Sequence, residues 1–181
     1  MTALEQLANN LDPQARTCRA IIETPAGSHA KFAYDPESGL FQLGKLLPMG
    51  LTFTLDFGFI PSTLGGDGDP IDVLVLPEVH LPVGCLVELK LLGVMEAEQR
   101  KPGKRAKRND RVITRLAGSR MFPGIEDIAQ IGNSVVDELG VFFKTYKAAR
   151  GQSYDVLNIG GPQRAVEIVQ QGMEALAAAE G

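Results

Sequence analysis

The stretch Thr63-Leu64-Gly65-Gly66-Asp67-Gly68-Asp69-Pro70-Ile71-Asp72-Val73-Leu74-Val75-Leu76 places three carboxylates within six residues, directly ahead of an apolar run. Its glycines permit a tight turn. From Pro70 the residues alternate as in a strand, with Asp72, Leu74 and Leu76 on one face and Ile71, Val73 and Val75 on the other. Asp72 therefore shares a face with aliphatic side chains whichever face is buried. An ionised carboxylate near the interior requires a partner, because desolvating it alone costs on the order of several kcal/mol. A divalent cation held jointly with Asp67 and Asp69 meets that need, and an all-oxygen donor set suits magnesium or manganese rather than zinc. One Asp-Gly pair alone would read as a hairpin turn with a solvated acid beyond it. Three acids with a hydrophobic run behind them weigh against that reading. A calcium loop fails: Glu78 falls at its twelfth position, but Ile71 and Asp72 stand where an oxygen ligand and a glycine are needed.

The elements that must hold this turn are short and β-rich. Strand-like runs cover 19–23, 31–34, 40–43, 52–60, 71–76, 85–94 and 111–116, most of them separated by Gly, Pro, Asp or Ser clusters. Such a series predicts a small barrel or sandwich. Leu4, Leu7 and Leu11 predict a helix over 2–12 that Pro13 closes. Val135, Val136, Leu139, Phe142, Phe143 and Tyr146 predict a second over 134–149. A strand over 154–159 follows, and Gly160-Gly161-Pro162 opens a last helix over 162–180. With no repeat and no long linker, the 181 residues are expected to form a single domain, a barrel with two C-terminal helices.

The net charge of −4 disfavours a general nucleic-acid binder, although seven of the 18 Lys and Arg residues fall between Arg100 and Arg111. That basic loop reads either as a solvated surface or as a device that steers anions inward. No apolar stretch approaches the roughly 18 residues that span a bilayer. The start, Met1-Thr2-Ala3-Leu4-Glu5, lacks the order of a secretory signal. Cys18 and Cys85 have no metal-ligand spacing and predict reduced thiols and a cytoplasmic setting.

Asp67-Gly68-Asp69-Pro70-Ile71-Asp72-Val73 resembles the signature of the soluble family I inorganic pyrophosphatases. The resemblance spans about 20–160, through Ile22-Glu23-Thr24-Pro25, Lys31-Phe32-Ala33-Tyr34-Asp35, Gly58-Phe59-Ile60-Pro61, Thr63-Leu64 and Phe142-Phe143-Lys144-Thr145-Tyr146-Lys147. It implies a mainly β fold with flanking α, a five-stranded OB-type β-barrel. It also implies magnesium-dependent hydrolysis of pyrophosphate and, in bacterial members, a homohexamer. Carried over by position, Asp67 and Asp72 become metal ligands, and Asp69 accepts the proton of the attacking water beside the metal. Glu23 becomes a metal-proximal carboxylate. Lys31, Lys45, Arg111, Tyr146 and Lys147 become phosphate ligands.

Several positions depart from the family pattern. Ala33 stands where a glutamate is usual, Lys45 where an arginine is, and Phe53 and Phe57 where tyrosines supply hydroxyls. Gln99 and Asn109 replace two metal-binding aspartates, and Arg111 replaces a lysine. Glu98 or Asp110 would supply the missing charge if the loop register shifted by one. Two amides in place of two carboxylates predict weaker binding of at least one cation. The departures keep two alternatives open, a hydrolase of another phosphoanhydride and a phosphate-binding module without turnover.

Overall fold

Apolar runs punctuated by turn residues, together with one two-residue charged strand, fold into nine strands among residues 3–181, which the computed structural model describes. In chain order these elements are β1 (Thr17–Thr24), β2 (Ala30–Asp35), β3 (Leu40–Leu46), β4 (Asp56–Ile60), β5 (Ile71–Val75), β6 (Leu86–Arg100), β7 (Lys107–Arg108), β8 (Arg111–Leu116), α1 (Asn133–Ala148), β9 (Ser153–Gly160) and α2 (Pro162–Glu180). β1 pairs with β4, β4 with β5, β5 with β8, β8 with β6, and β6 returns to β1. This closed ring of five strands is the predicted OB-type barrel; only the β5–β8 pair is parallel. Closure removes the free edges that invite aggregation. β2 and β3 form a separate hairpin, and the far half of β6 carries β7 on one side and β9 on the other.

Two cores use the two faces of the strands. Val73, Val75, Leu89 and Val112 pack with Ala165, Val166 and Val169 of α2. Leu74, Leu76, Leu92 and Ile113 pack with Leu139, Phe142 and Phe143 of α1. By strand parity Asp72 lies on the Leu74 side, so the acidic strand end opens toward α1.

In β1 the register passes from Ile22↔Gly58 to Thr24↔Phe57, which leaves Glu23 as the extra residue of a bulge. Bulges of this kind re-aim a side chain. Gly58 permits the close approach: a Cβ there would sit 2.0 Å from the Ile21 carbonyl oxygen, a main-chain atom. Gly58→Ala is expected to destabilise the fold by about 1–3 kcal/mol, seen as a lower denaturant midpoint. An unchanged midpoint would mean the bulge tolerates a side chain.

The N-terminal prediction needs correction. Instead of a helix over 2–12, the described residues hold one 3-10 turn, Leu4–Gln6, and then extended chain; Thr2 lies outside them. The Asn9 side chain donates to the Pro61 carbonyl at 3.0 Å and accepts from the Leu11 N–H, and Asn10 adopts a φ of 49°. These local bonds compete with helix formation. The strand expected over 52–60 begins only at Asp56, because Phe53 instead bonds its main chain to Gly27 and Ser28.

Candidate active site

A cavity of about 210 Å³ opens between the barrel, the β2–β3 hairpin and the end of α1. Asp67, Asp69, Asp72, Lys31, Lys45, Gln99, Asn109, Arg111, Tyr146 and Lys147 all line it. Phe53 and Phe57 form part of its floor. Lys101, Arg150 and Gln152 line it too, and none of these three was among the sequence candidates. Arg150 had a signal: it stands four residues beyond Tyr146 and three beyond Lys147 on the turn that ends α1. Six cationic and three acidic side chains give this cavity a formal charge of +3 in a chain whose net charge is −4.

The carboxylates are individually constrained. Burial raises the Asp67 carboxyl, and the like charges of Asp72 and Asp69 raise it further. Its Oδ2 accepts from the Asn109 amide and, at 3.3 Å, from Gln99 Nε2. Asp72 faces the Arg111 guanidinium at 3.4 Å. Arg111 is only 2% exposed, with its guanidinium carbon 4.0 Å from the Phe143 ring centre and 4.6 Å from that of Tyr154. A cation set against two rings in this way suits guanidinium better than ammonium. Asp69 is exposed and belongs to the mouth of the cavity.

The lysines are set against one another. Lys31 and Lys45 are cross-strand partners on β2 and β3. Lys31 Nζ also lies 4.1 Å from the centre of the Phe57 ring, a cation–π contact available without a tyrosine hydroxyl. Burial, followed by Lys31, Arg150 and Lys101, pulls Lys45 down to about 8. Burial, followed by Arg111 and Lys31, pulls Lys147 down to about 7, where its ammonium meets Gln99 Oε1. The Tyr146 hydroxyl is buried without a partner, as is Nε of Arg111. These are unspent donors at an anion-sized opening.

Glu23, Glu98 and Asp110 stand outside this lining. Glu23 accepts from the Tyr34 N–H at 2.8 Å, and burial pushes its carboxyl up to about 7 against the pull of Lys31. Glu98 alternates with Gln99 along β6 and so faces away from Asp67. Asp110 accepts from the Ala97 N–H at 2.9 Å and from Arg108 at 2.8 Å. Arg108 in turn reaches Glu96 at 3.0 Å, which also binds Arg164 of α2 at 2.6 Å and Asn158 at 2.8 Å. The Arg164 hydrogen bond, ahead of the other partners, holds the Glu96 carboxyl down at about 2. Ala33 faces Gln42 across the hairpin and brings no charge.

The donor set can accept a hard cation. Oδ1 of Asn109 is buried with no hydrogen-bond partner, on the amide that already donates to Asp67. It is a free oxygen ligand beside a crowded carboxylate. Among the described residues, no three His, Cys, Asp or Glu side chains gather closely enough to enclose an ion by themselves. Magnesium typically uses one or two carboxylates together with substrate phosphates and water. The residues fit an ion shared with a phosphate ligand better than one caged by protein.

A family model described as inorganic pyrophosphatase matches residues 20–177. An inorganic pyrophosphatase of Thermus thermophilus is 35% identical over 150 residues, which cover 83% of each chain. One from Ralstonia nicotianae is 34% identical over 155 residues, covering 84% of this chain and 87% of its own. A crystal structure of the Thermus thermophilus inorganic pyrophosphatase superposes with a TM-score of 0.87 at 32% identity, covering 97% of this chain and 99% of that one. By residues matched, by identity and by fold, the chain belongs to the inorganic pyrophosphatase family.

Proposed function

We propose that the protein hydrolyses inorganic pyrophosphate to two phosphates with magnesium, manganese serving as a substitute. The observation that carries this reading is one small cavity in which six cations and three carboxylates meet. Phosphoryl transfer leaves a protein mainly the tasks of positioning and charge stabilisation. Lys31, Lys45, Arg111 and Lys147 hold the phosphate oxygens, and the Tyr146 hydroxyl donates a further hydrogen bond. Asp67, Asp72 and the free Asn109 oxygen are the ligands for the ion, with Glu23 as a buried carboxylate behind them. Magnesium bound there would neutralise phosphate charge and acidify the attacking water. Asp69, at the mouth, takes the proton from that water. The water oxygen bonds to phosphorus, the bridging P–O bond breaks, and its electron pair leaves on the second phosphate.

The test is phosphate release from pyrophosphate with magnesium, with and without excess chelator. Magnesium-dependent release supports the proposal. Release from nucleoside triphosphates but not from pyrophosphate would replace it with a different phosphohydrolase. Saturable binding without release would reduce the protein to a binding module.

The depressed lysines predict the alkaline behaviour. A cationic group with a lowered pKa is charged below that value, so Lys45 loses its charge as pH rises through about 8. Lys147 loses its charge first, as pH rises through about 7, so at saturating magnesium kcat/KM for pyrophosphate should fall from about 7 and fall further as pH passes about 8. Lys45→Arg stays charged and should retain more of its own neutral-pH value on the alkaline side. Superimposable normalised pH profiles would remove Lys45 from substrate binding.

The same proposal takes the protein to be a cytoplasmic homo-oligomer, with a hexamer as the expected form. Cys18 and Cys85 are free thiols, and Val141, Val156, Leu157 and Ile159 are exposed apolar side chains on α1 and β9. Among the described residues no helix is long and apolar enough to cross a membrane.

A further inference from the structure

The basic run between β6 and β7 does not hang free. β7 pairs Lys107 with Gln99 and Arg108 with Glu98. Lys107 Nζ donates to the Asp67 carbonyl at 2.9 Å. Arg108 is tied to Glu96 and Asp110. Gly66 lets the loop lie against the acidic turn, since a Cβ there would come within 2.6 Å of Arg108 Cβ. This anchoring holds open a second cavity, of about 360 Å³, lined by Asp67, Asp69, Gln99, Lys101, Lys104, Arg105 and Lys107. Asp67, Asp69, Gln99 and Lys101 also line the first cavity, so the two adjoin.

We propose that this annexe is a subsite for the third phosphate of a linear inorganic polyphosphate whose terminal two phosphates occupy the first cavity. The inference rests on the pyrophosphate reading of that cavity. Lys101 stands at the junction, and Lys104, Arg105 and Lys107 supply three more cations beyond it, where pyrophosphate itself would not reach. Phosphate chains are recognised by this kind of repeated charge. The lining holds no aromatic ring, and four of its seven side chains are cations, which favours an inorganic chain over a nucleotide. In the reaction the water oxygen bonds to the middle phosphorus and its proton passes to Asp69. The P–O bond to the terminal phosphate, on the far side of that phosphorus, breaks, and the electron pair leaves on the terminal phosphate. Tripolyphosphate and water thus give diphosphate and phosphate.

The test compares the intact protein with the double variant Lys104→Ala, Arg105→Ala, two exposed loop residues whose loss leaves the first cavity intact. KM is measured for pyrophosphate and tripolyphosphate, together with inhibition of pyrophosphate hydrolysis by tripolyphosphate and by ATP. The variant should raise KM or the inhibition constant for tripolyphosphate roughly three- to tenfold, the range for two exposed charge contacts. KM for pyrophosphate should stay within about twofold. An equal rise for both substrates would show long-range steering and overturn the subsite, as would no change for either. ATP inhibiting as strongly as tripolyphosphate would overturn the inorganic class. If the intact protein hydrolyses no pyrophosphate, the underlying reading fails. Calorimetric binding of tripolyphosphate to the same two proteins then judges the subsite separately, and equal affinities would dismiss it.

Discussion

Asp69→Asn should lower kcat for pyrophosphate about 10²- to 10⁴-fold, the span typical of a lost general base. The three acids of the turn differ in what already occupies them. Asp67 accepts from Gln99 and Asn109, and Asp72 faces Arg111. Asp69 is exposed and lines both cavities, so it can meet a water at the point where they join. Asparagine has nearly the same shape and keeps the main-chain N–H that reaches toward Asp67 at 3.4 Å. The melting temperature should therefore move little, and KM should change far less than kcat. A variant that keeps a third or more of the activity would move the proton-accepting role to another residue.

Asn109→Asp should lower stability sharply without divalent ions and recover when magnesium is added. Asn109 is 7% exposed and donates to an Asp67 carboxyl that burial and two neighbouring acids already raise. A second negative charge about 4 Å away costs on the order of 4 kcal/mol at an effective dielectric constant near 20. For a chain of this size, 1 kcal/mol moves the melting temperature by about 2–4 °C. A fall of roughly 8–16 °C in chelator is the expected result, with a larger magnesium-induced rise than the parent protein shows. The new carboxyl would have a raised pKa in the fold, so its penalty is absent below the ordinary carboxylate range, grows as pH rises from there to the folded value, and is constant above it. Equal melting curves for variant and parent, in chelator and in magnesium alike, would show that position 109 is remote from any ion site.

What could be read from the chain alone depended on how local the signal was. Asp67, Asp69 and Asp72 lie on one turn and announce themselves. Tyr146 and Lys147 follow the period of α1, and β5 shows its two faces by alternation. The five-strand ring follows from the runs of strand residues and from the family resemblance, but its closure by β6 against both β1 and β8 is a long-range pairing. The same distance in sequence hides the Gln99 bonds to Asp67 and Lys147. β7 is two charged residues with no strand pattern of its own, held only by β6. Lys101 sits in what looks like solvated loop, and Leu4, Leu7 and Leu11 keep helical spacing although Asn9 spends its side chain on Pro61.

Glu96 joins parts of the molecule that are far apart in sequence. A single acid moors the Arg108 end of the basic loop and the Arg164 root of the last helix. A disturbance in the tail of the chain has a short mechanical route to the rim where the phosphates enter. With a carboxyl that ionises at about 2, the mooring keeps its charge through the whole working range of acidity, so the entrance holds its shape while the lysines inside change theirs.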